Sequence, residues 1–251
     1  MGKNIDFGFV ADIYDDYVNT DFDIPFYKAL CGKYGGNILE LMCGTGRVSM
    51  PLVEDGVNLT CVDYSQEMLD VFARKAAGKS VSLICQDICE LDIGRKFDFI
   101  FIPFNSITEI TDKEKRRRAI KRIHGLLADG GDFLVTLYNP PYRLKSADGN
   151  MKYIGKFDIS GNRTLIVTYC NLYNKAASLV YGTQFYEIYD CENRLLDKRC
   201  LNISFSLITR DEMVEMAGEA GFRLKELYGD YSFGGFTDNS MFMNLLFTRQ
   251  N

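Results

Sequence analysis

The chain offers little to a membrane, to a nucleic acid or to a zinc ion. Its longest apolar runs, such as FDFIFIPF at 97–104, are far too short to cross a bilayer, which takes about 20 residues as a helix. The start, MGKNIDFGFV, lacks the long apolar segment of a secretory signal, so a cytoplasmic protein is expected. Positive charge is in deficit: 29 Lys and Arg stand against 34 Asp and Glu, whereas a nucleic-acid binder usually shows a basic excess. The one basic run, KEKRRRAIKR at 113–122, opens with mixed signs. It reads as the solvated face of an amphipathic helix rather than a phosphate-binding patch. None of the eight cysteines forms a Cys-x-x-Cys pair. Cys85 and Cys89 with the single histidine, His124, fit no zinc spacing, so no metal site is predicted. The thiols read as reduced, several of them as small hydrophobes in strands.

What the chain does have is enough apolar residue, 47% against 25% charged, to expect a packed core. From 37 to 139 short apolar runs alternate with helical segments. NILELM, VNLTCVD, VSLICQD, FDFIFIPF and DFLVTLYNP read as strands. RVSMPLVEDG, SQEMLDVFARKAAG and DKEKRRRAIKRIHGLLADGG read as helices, the second with Ser65 as N-cap and Gly78 as stop, the third stopped by Gly-Gly. Strands apolar on both faces and alternating with helices predict a parallel sheet covered on both sides. After about 141 the pattern becomes long alternating runs rich in Tyr, Thr, Val and Ile, from MKYIGKFDIS to RLLDKRCLNISFSL, which predicts an antiparallel meander. Helix signals return in TRDEMVEMAGEAGF, where Thr209 and Glu212 have capping-box spacing and Gly221 marks the end. RLKELYGDY and MFMNLLFTRQ close the chain as strands. The expected organisation is one domain from 1–140 and 207–251, its residues 1–36 forming a helical cap, with 141–206 inserted as a substrate-covering β subdomain.

In open parallel sheets, ligands bind beyond the carboxyl ends of the strands. The residues there are Glu40 to Gly46 in ILELMCGTGRV, then Asp63, Gln86 and Asp87, and Pro103 to Ser106. Gly44 and Gly46 let the backbone turn tightly and approach a ligand. Ser49 stands where a dinucleotide-binding motif would place its third glycine, and no Lys follows for a P-loop. A carboxylate at 40 would repel a pyrophosphate and favour a cation. Asp63 suits the two hydroxyls of a ribose, and Asp87 the exocyclic amine of an adenine. S-adenosylmethionine (SAM) joins these three features in one molecule.

The strings ILELMCGTGRV, VDYSQEML, CQDICEL and FDFIFIPFNSI, followed by LLADGGDFLVTLYN, resemble the successive motifs of class I SAM-dependent methyltransferases over roughly 37 to 139. TRDEMVEMAGEAGF and YGDYSF resemble the end of that fold, and the meander with IYDDY resembles its small-molecule branch. The resemblance implies an α/β, Rossmann-like, doubly wound and mostly parallel seven-stranded sheet with an inserted antiparallel β-meander lid. It implies that Glu40, Met42, Cys43, Gly44 and Gly46 hold the methionine end of the cofactor, and that Asp63, Tyr64 and Met68 hold the ribose. Asp87 and Ile88 would bracket the adenine, Phe104 and Asn105 would lie by the sulfonium, and Tyr17 and Gln86 are further expected cofactor contacts. Glycine is usual in the family at 42; Met42 would narrow the pocket or shift the methionine moiety.

Methyl transfer from a sulfonium needs an aligned nucleophile and excluded water, and positioning of that kind is worth about 7–11 kcal/mol. His124, mid-helix, is read as structural. Tyr14, Tyr17, Glu109 and Tyr138 are therefore the expected acceptor-orienting groups, with N or O of a small molecule as acceptor. The meander's aromatics, among them Tyr169, Tyr173, Tyr181, Phe185, Tyr186 and Tyr189, are read as core of a small sheet, with some covering the acceptor. The alternatives are a SAM-binding protein without catalysis, a tRNA or protein methyltransferase, and a nicotinamide dehydrogenase, which Glu40 and Ser49 oppose.

Overall fold

A computed structural model describes residues 5–250. Seven strands form one sheet: β1 Ile38–Leu41, β2 Leu59–Asp63, β3 Ser82–Cys85, β4 Phe97–Ile102, β5 Leu127–Tyr138, β10 Phe222–Tyr228 and β11 Phe242–Arg249. Four more form a second sheet: β6 Asp148–Ile159, β7 Arg163–Asn174, β8 Leu179–Tyr189 and β9 Leu195–Ser206. The large sheet has the order β10-β11-β5-β4-β1-β2-β3; β3 to β5 run parallel through β1, and β11 enters antiparallel beside β5. The order reverses between β1 and β4, the place where open α/β sheets leave a crevice at their carboxyl ends. The small sheet is an antiparallel meander, β6-β7-β8-β9.

The helices are α1 Tyr14–Tyr17, α2 Ile24–Tyr34, α3 Ser49–Glu54, α4 Gln66–Lys75, α5 Lys113–Leu126, α6 Pro140–Leu144 and α7 Arg210–Glu219. Successive residues of β4 go to opposite faces, as pleating requires. Ile100 and Ile102 join the core built with α5 and α7, and Phe99 and Phe101 join the core with α2, α3 and α4. Two apolar layers on one sheet make the doubly wound architecture. A third core belongs to the small sheet, whose Leu165, Val167, Tyr186 and Ile203 pack on Ile5, Val10 and Ile13.

Local signals account for the element ends. The Ser65 hydroxyl accepts the Met68 N–H at the start of α4, and Gly78 follows in left-handed backbone (φ 79°). Thr209 and Glu212 exchange both bonds of a capping box at α7. The Gly-Gly pair at 130–131 does not stop a helix. Helix α5 ends at Leu126, and Ala128 to Gly131 make an irregularity inside β5, where register jumps between Phe97↔Leu127 and Phe99↔Asp132. Gly130 supplies the positive φ (76°), and a Cβ on Gly131 would meet the Asp98 carbonyl at 3.0 Å. The glycines serve strand docking there. Among the described residues no helix is long and apolar enough to cross a membrane.

Candidate active site

After β1 the backbone turns left-handed at Met42 (φ 59°), Gly44 (54°) and Gly46 (81°), which redirects the chain into α3. Only glycine adopts this without strain. Met42 takes it at a cost of about 1–2 kcal/mol, offset by packing of its side chain on the α5–α7 core. The loop lies tight on α4: a Cβ on Gly46 would stand 2.5 Å from the Phe72 ring, and one on Gly44 3.3 Å from the Met68 methyl. Gly46→Ala is expected to lower stability by about 1–3 kcal/mol through overpacking, seen as a lower Tm, and to weaken binding at the loop in the same preparation.

Three carboxylates surround this loop. Glu40, buried, accepts the Ser49 hydroxyl (2.6 Å). Asp63, also buried, accepts the N–H of Gly44 (2.8 Å) and of Ser65 (2.9 Å), so one side chain ties the loop to the start of α4. Glu109, in the 3-10 turn Ser106–Glu109 beyond β4, is the third. Burial raises the pKa of all three and, with a smaller push from the charge of Asp63, brings Glu40 and Glu109 to about 8, in Glu40 against the Ser49 hydrogen bond and the Arg47 charge. Such a group favours its neutral form, and a cation placed among the three would favour ionisation.

The sign of the pH effect follows. Between the ordinary carboxyl value near 4.5 and about 8, the folded protein binds more protons at Glu40 and Glu109 than the unfolded chain does. Their contribution is therefore fully present below that range and is lost as pH rises to about 8. Thermal unfolding of the unliganded protein should show Tm falling from pH 5 to pH 8, and Glu40→Gln should flatten the fall. A Tm that rises across that window in wild type would refute it.

Along the neighbouring strand ends, Asp87 is exposed and caps the 3-10 turn Ile88–Glu90 by accepting the Cys89 N–H (2.8 Å). Gln86 accepts the Asp92 N–H (3.2 Å). Ile88, Met68 and Cys43 are buried, and burial pushes the Cys43 thiol up. Tyr64 donates to the Ile5 carbonyl. Residues 5–20 pass over this loop: Asp15 accepts from the Thr45 hydroxyl (2.5 Å) and pairs with Lys75 (2.6 Å). Arg47 holds Asp23 through two bonds (2.6 and 2.7 Å), donates to the Thr20 carbonyl (2.8 Å) and lies 4.6 Å over the Phe104 ring.

A cavity of about 600 Å³ opens between the large sheet's carboxyl edge, residues 5–20 and the small sheet. Tyr14, Tyr17, Phe104, Asn105, Glu109 and Tyr138 all line it. The other predicted residues, Glu40, Met42, Cys43, Gly44, Gly46, Asp63, Tyr64, Met68, Gln86, Asp87 and Ile88, lie around the loop and strand ends, outside its wall. Phe104 and Asn105 are consecutive left-handed residues (φ 56° and 63°). The Asn105 amide accepts the Tyr138 N–H (3.0 Å) and donates to Thr108 (2.8 Å), so it fixes the β4 exit against β5. Tyr17 meets the Tyr186 hydroxyl (3.0 Å), which in turn donates to Gln184 (2.8 Å). Burial raises Tyr14, Tyr17 and Tyr138. Glu109 has no ion-pair partner among the described residues. Of the meander's aromatics, Tyr169 faces the cavity, Tyr186 is fully buried and Tyr181 points outward. His124 packs edge-on against Phe222 (5.0 Å), away from the cavity. Sequence reading missed Arg47, and it missed Arg143, Asn171 and Gln184 on the cavity wall.

Residues 38–131 match the family described as a methyltransferase domain. Those residues carry a methyltransferase domain. A putative methyltransferase from Geobacillus sp. (strain WCH70) is 30% identical over 111 residues, 43% of this chain and 45% of that one, so the match spans under half the length of that relative. The methyltransferase CcbJ from Streptomyces caelestis superposes with a TM-score of 0.81 at 21% identity, covering 96% of each chain. The sugar N-methyltransferase KedS8 from Streptoalloteichus sp. superposes at 0.76 and 18% identity, over 96% of this chain and 92% of its own. At these identities the two structures show a shared fold that runs through the methyltransferase domain and the inserted sheet alike.

Proposed function

We propose that the protein transfers the methyl group of SAM to an amine nitrogen of a small molecule. The observation that carries this reading is Glu109: a carboxyl group on the cavity wall, without a cation partner among the described residues, its pKa pushed up to about 8 by burial. SAM, when bound, supplies a methyl group activated by its sulfonium. The residues around the loop fit it. Glu40 and Asp63 are acidic and buried, and the glycines at 44 and 46 allow the left-handed turn to lie close on Met68 and Phe72. In this reading Glu40, Met42, Cys43, Gly44 and Gly46 hold the methionine end, and Asp63, Tyr64 and Met68 the ribose. Gln86, Asp87 and Ile88 hold the adenine.

At the acceptor, Glu109 receives the amine's hydrogen bond and Tyr14, Tyr17 and Tyr138 fix its approach. The amine would displace the activated methyl group from bound SAM, leaving SAH as the other product. The proton displaced from nitrogen goes to a Glu109 oxygen. A base near pKa 8 is matched to an ammonium, whereas a hydroxyl acceptor would call for a stronger one. In this reading residues 5–20 and the meander sheet, which wall the cavity, shield the bound acceptor from water. KedS8 is a sugar N-methyltransferase, which makes amino sugars the first acceptors to try.

The test is S-adenosylhomocysteine (SAH) formation from SAM with a panel of amines, alcohols, thiols, tRNA and peptides. Transfer to small amines is expected. SAH bound but no turnover on any acceptor would favour a sensor, and transfer confined to hydroxyls or to macromolecules would refute the amine reading.

A further inference from the structure

We infer that the acceptor carries an anionic group, a carboxylate or a phosphate, that docks on Arg143 across the cavity from Glu109. The inference rests on the cavity's being the acceptor site, as proposed above.

Arg143 lies in α6, where Pro140 at the first helical position presets the turn after β5. Its guanidinium stacks 4.8 Å from the Phe205 ring and 5.7 Å from the Tyr138 ring, and it lines the cavity. Its Nε is fully buried and has no hydrogen-bond partner. That sets it apart from arginines elsewhere in the molecule. Arg47 pairs with Asp23 and Arg199 with Asp12 and Asp197; the deeply buried Arg116 donates to the Ile110 carbonyl and to Ser206. Burial without a partner depresses the Arg143 pKa. A buried donor left empty carries a desolvation penalty, and a planar guanidinium with a free edge matches the two oxygens of a carboxylate or phosphate.

The rest of that wall has the same bias. Lys145 and Lys152 line it, and Lys152 stands in cross-strand register with Tyr169 and Gln184. Two pairs further along β7 and β8, on the same face, Asn171 lies opposite Gly182. A Cβ on Gly182 would collide first with the Cys170 carbonyl and would also sit 2.5 Å from the Asn171 Oδ1, so glycine is required by the close approach of β7 there. Asn171 is buried, lines the cavity, and its Oδ1 is a second atom without a partner. The cavity therefore carries a carboxylate at the strand end, the Arg143 guanidinium and Lys145 ammonium at α6, Lys152 on β6 already paired with Asp148 (2.7 Å), and the Asn171 amide, with Arg143 Nε and Asn171 Oδ1 left without partners. A molecule bearing both an amine and an anion satisfies both ends, and its hydroxyl or N–H suits Asn171.

Calorimetric titration of SAH-loaded protein with pyrophosphate and, separately, with malonate tests this. Saturable binding of at least one is expected; pyrophosphate alone indicates a phosphate, malonate alone a carboxylate. Arg143→Met should weaken the bound anion at least tenfold and Arg143→Lys by less, with SAH affinity within twofold of wild type in both. The inference is overturned if neither anion binds SAH-loaded wild type, or if binding is unchanged in both variants. SAH failing to bind would instead count against the cofactor reading, since that is measured first in the same cell.

Discussion

Glu109→Gln lowers methyl transfer by about 100- to 1,000-fold, in the range general bases supply, and leaves SAH affinity nearly unchanged. Glutamine keeps the shape and can still accept a hydrogen bond, but it cannot take a proton from the reacting nitrogen. The pH profile separates this from a packing effect. With Glu109 raised to about 8 by burial and by Asp63, kcat/KM of wild type should climb with pH and level off above about 8. In the glutamine variant the part of that limb belonging to the carboxyl disappears, and what remains follows the acceptor's own titration. Rates of SAH formation between pH 6 and pH 9 supply both numbers. A variant with wild-type turnover would remove Glu109 from the chemistry.

Arg47→Ala destabilises the protein by about 3–5 kcal/mol, because it leaves a buried carboxylate without its cation. Asp23 is fully buried and its two oxygens are both taken by Arg47, itself largely covered. For a chain of this size that loss lowers Tm by about 6–20 °C. Removing the charge that remains, in Arg47→Ala with Asp23→Asn, should recover a large part of it, since the penalty lies in the stranded ion rather than in a missing attraction. The same arginine tethers the loop after Gly46 to residues 20–23 and covers Phe104, so SAH affinity should fall in the single variant as well. Thermal unfolding of the three proteins decides the point.

The elements that sequence reading placed well carry their cause within a few residues. Ser65 caps α4 and Thr209 with Glu212 caps α7 through bonds that span three positions. Gly44 and Gly46 announce a turn because no other residue makes it freely. The strand ends followed from apolar runs bounded by Asp63 and Asp87. Where a local signal had two uses, it misled: Gly130 and Gly131 look like a helix stop and instead shape the start of β5 against Asp98. Met42 looked like a change in the pocket; the structure puts it in left-handed backbone with its side chain on the core. The cavity was half legible. Tyr14, Tyr17, Glu109 and Tyr138 were reachable because they neighbour recognisable motifs. Arg143 and Asn171 were not, since what makes Arg143 unusual is its burial against Phe205, which is distant in sequence, and the absence of any partner. No local pattern encodes that. The Tyr17–Tyr186 contact likewise joins residues 169 apart.

The central claim is that the acidic loop beyond β1, with Asp63 at its heart, accepts a sulfonium-bearing nucleoside. Calorimetric titration of the folded protein with SAM and SAH tests it most directly. The account predicts one molecule bound per chain, with affinity reduced at least tenfold in Asp63→Ala, about the worth of hydrogen bonds to a charged group. Absence of binding heat at several temperatures with a cooperatively folded wild-type protein, or equal affinity in Asp63→Ala, would contradict it.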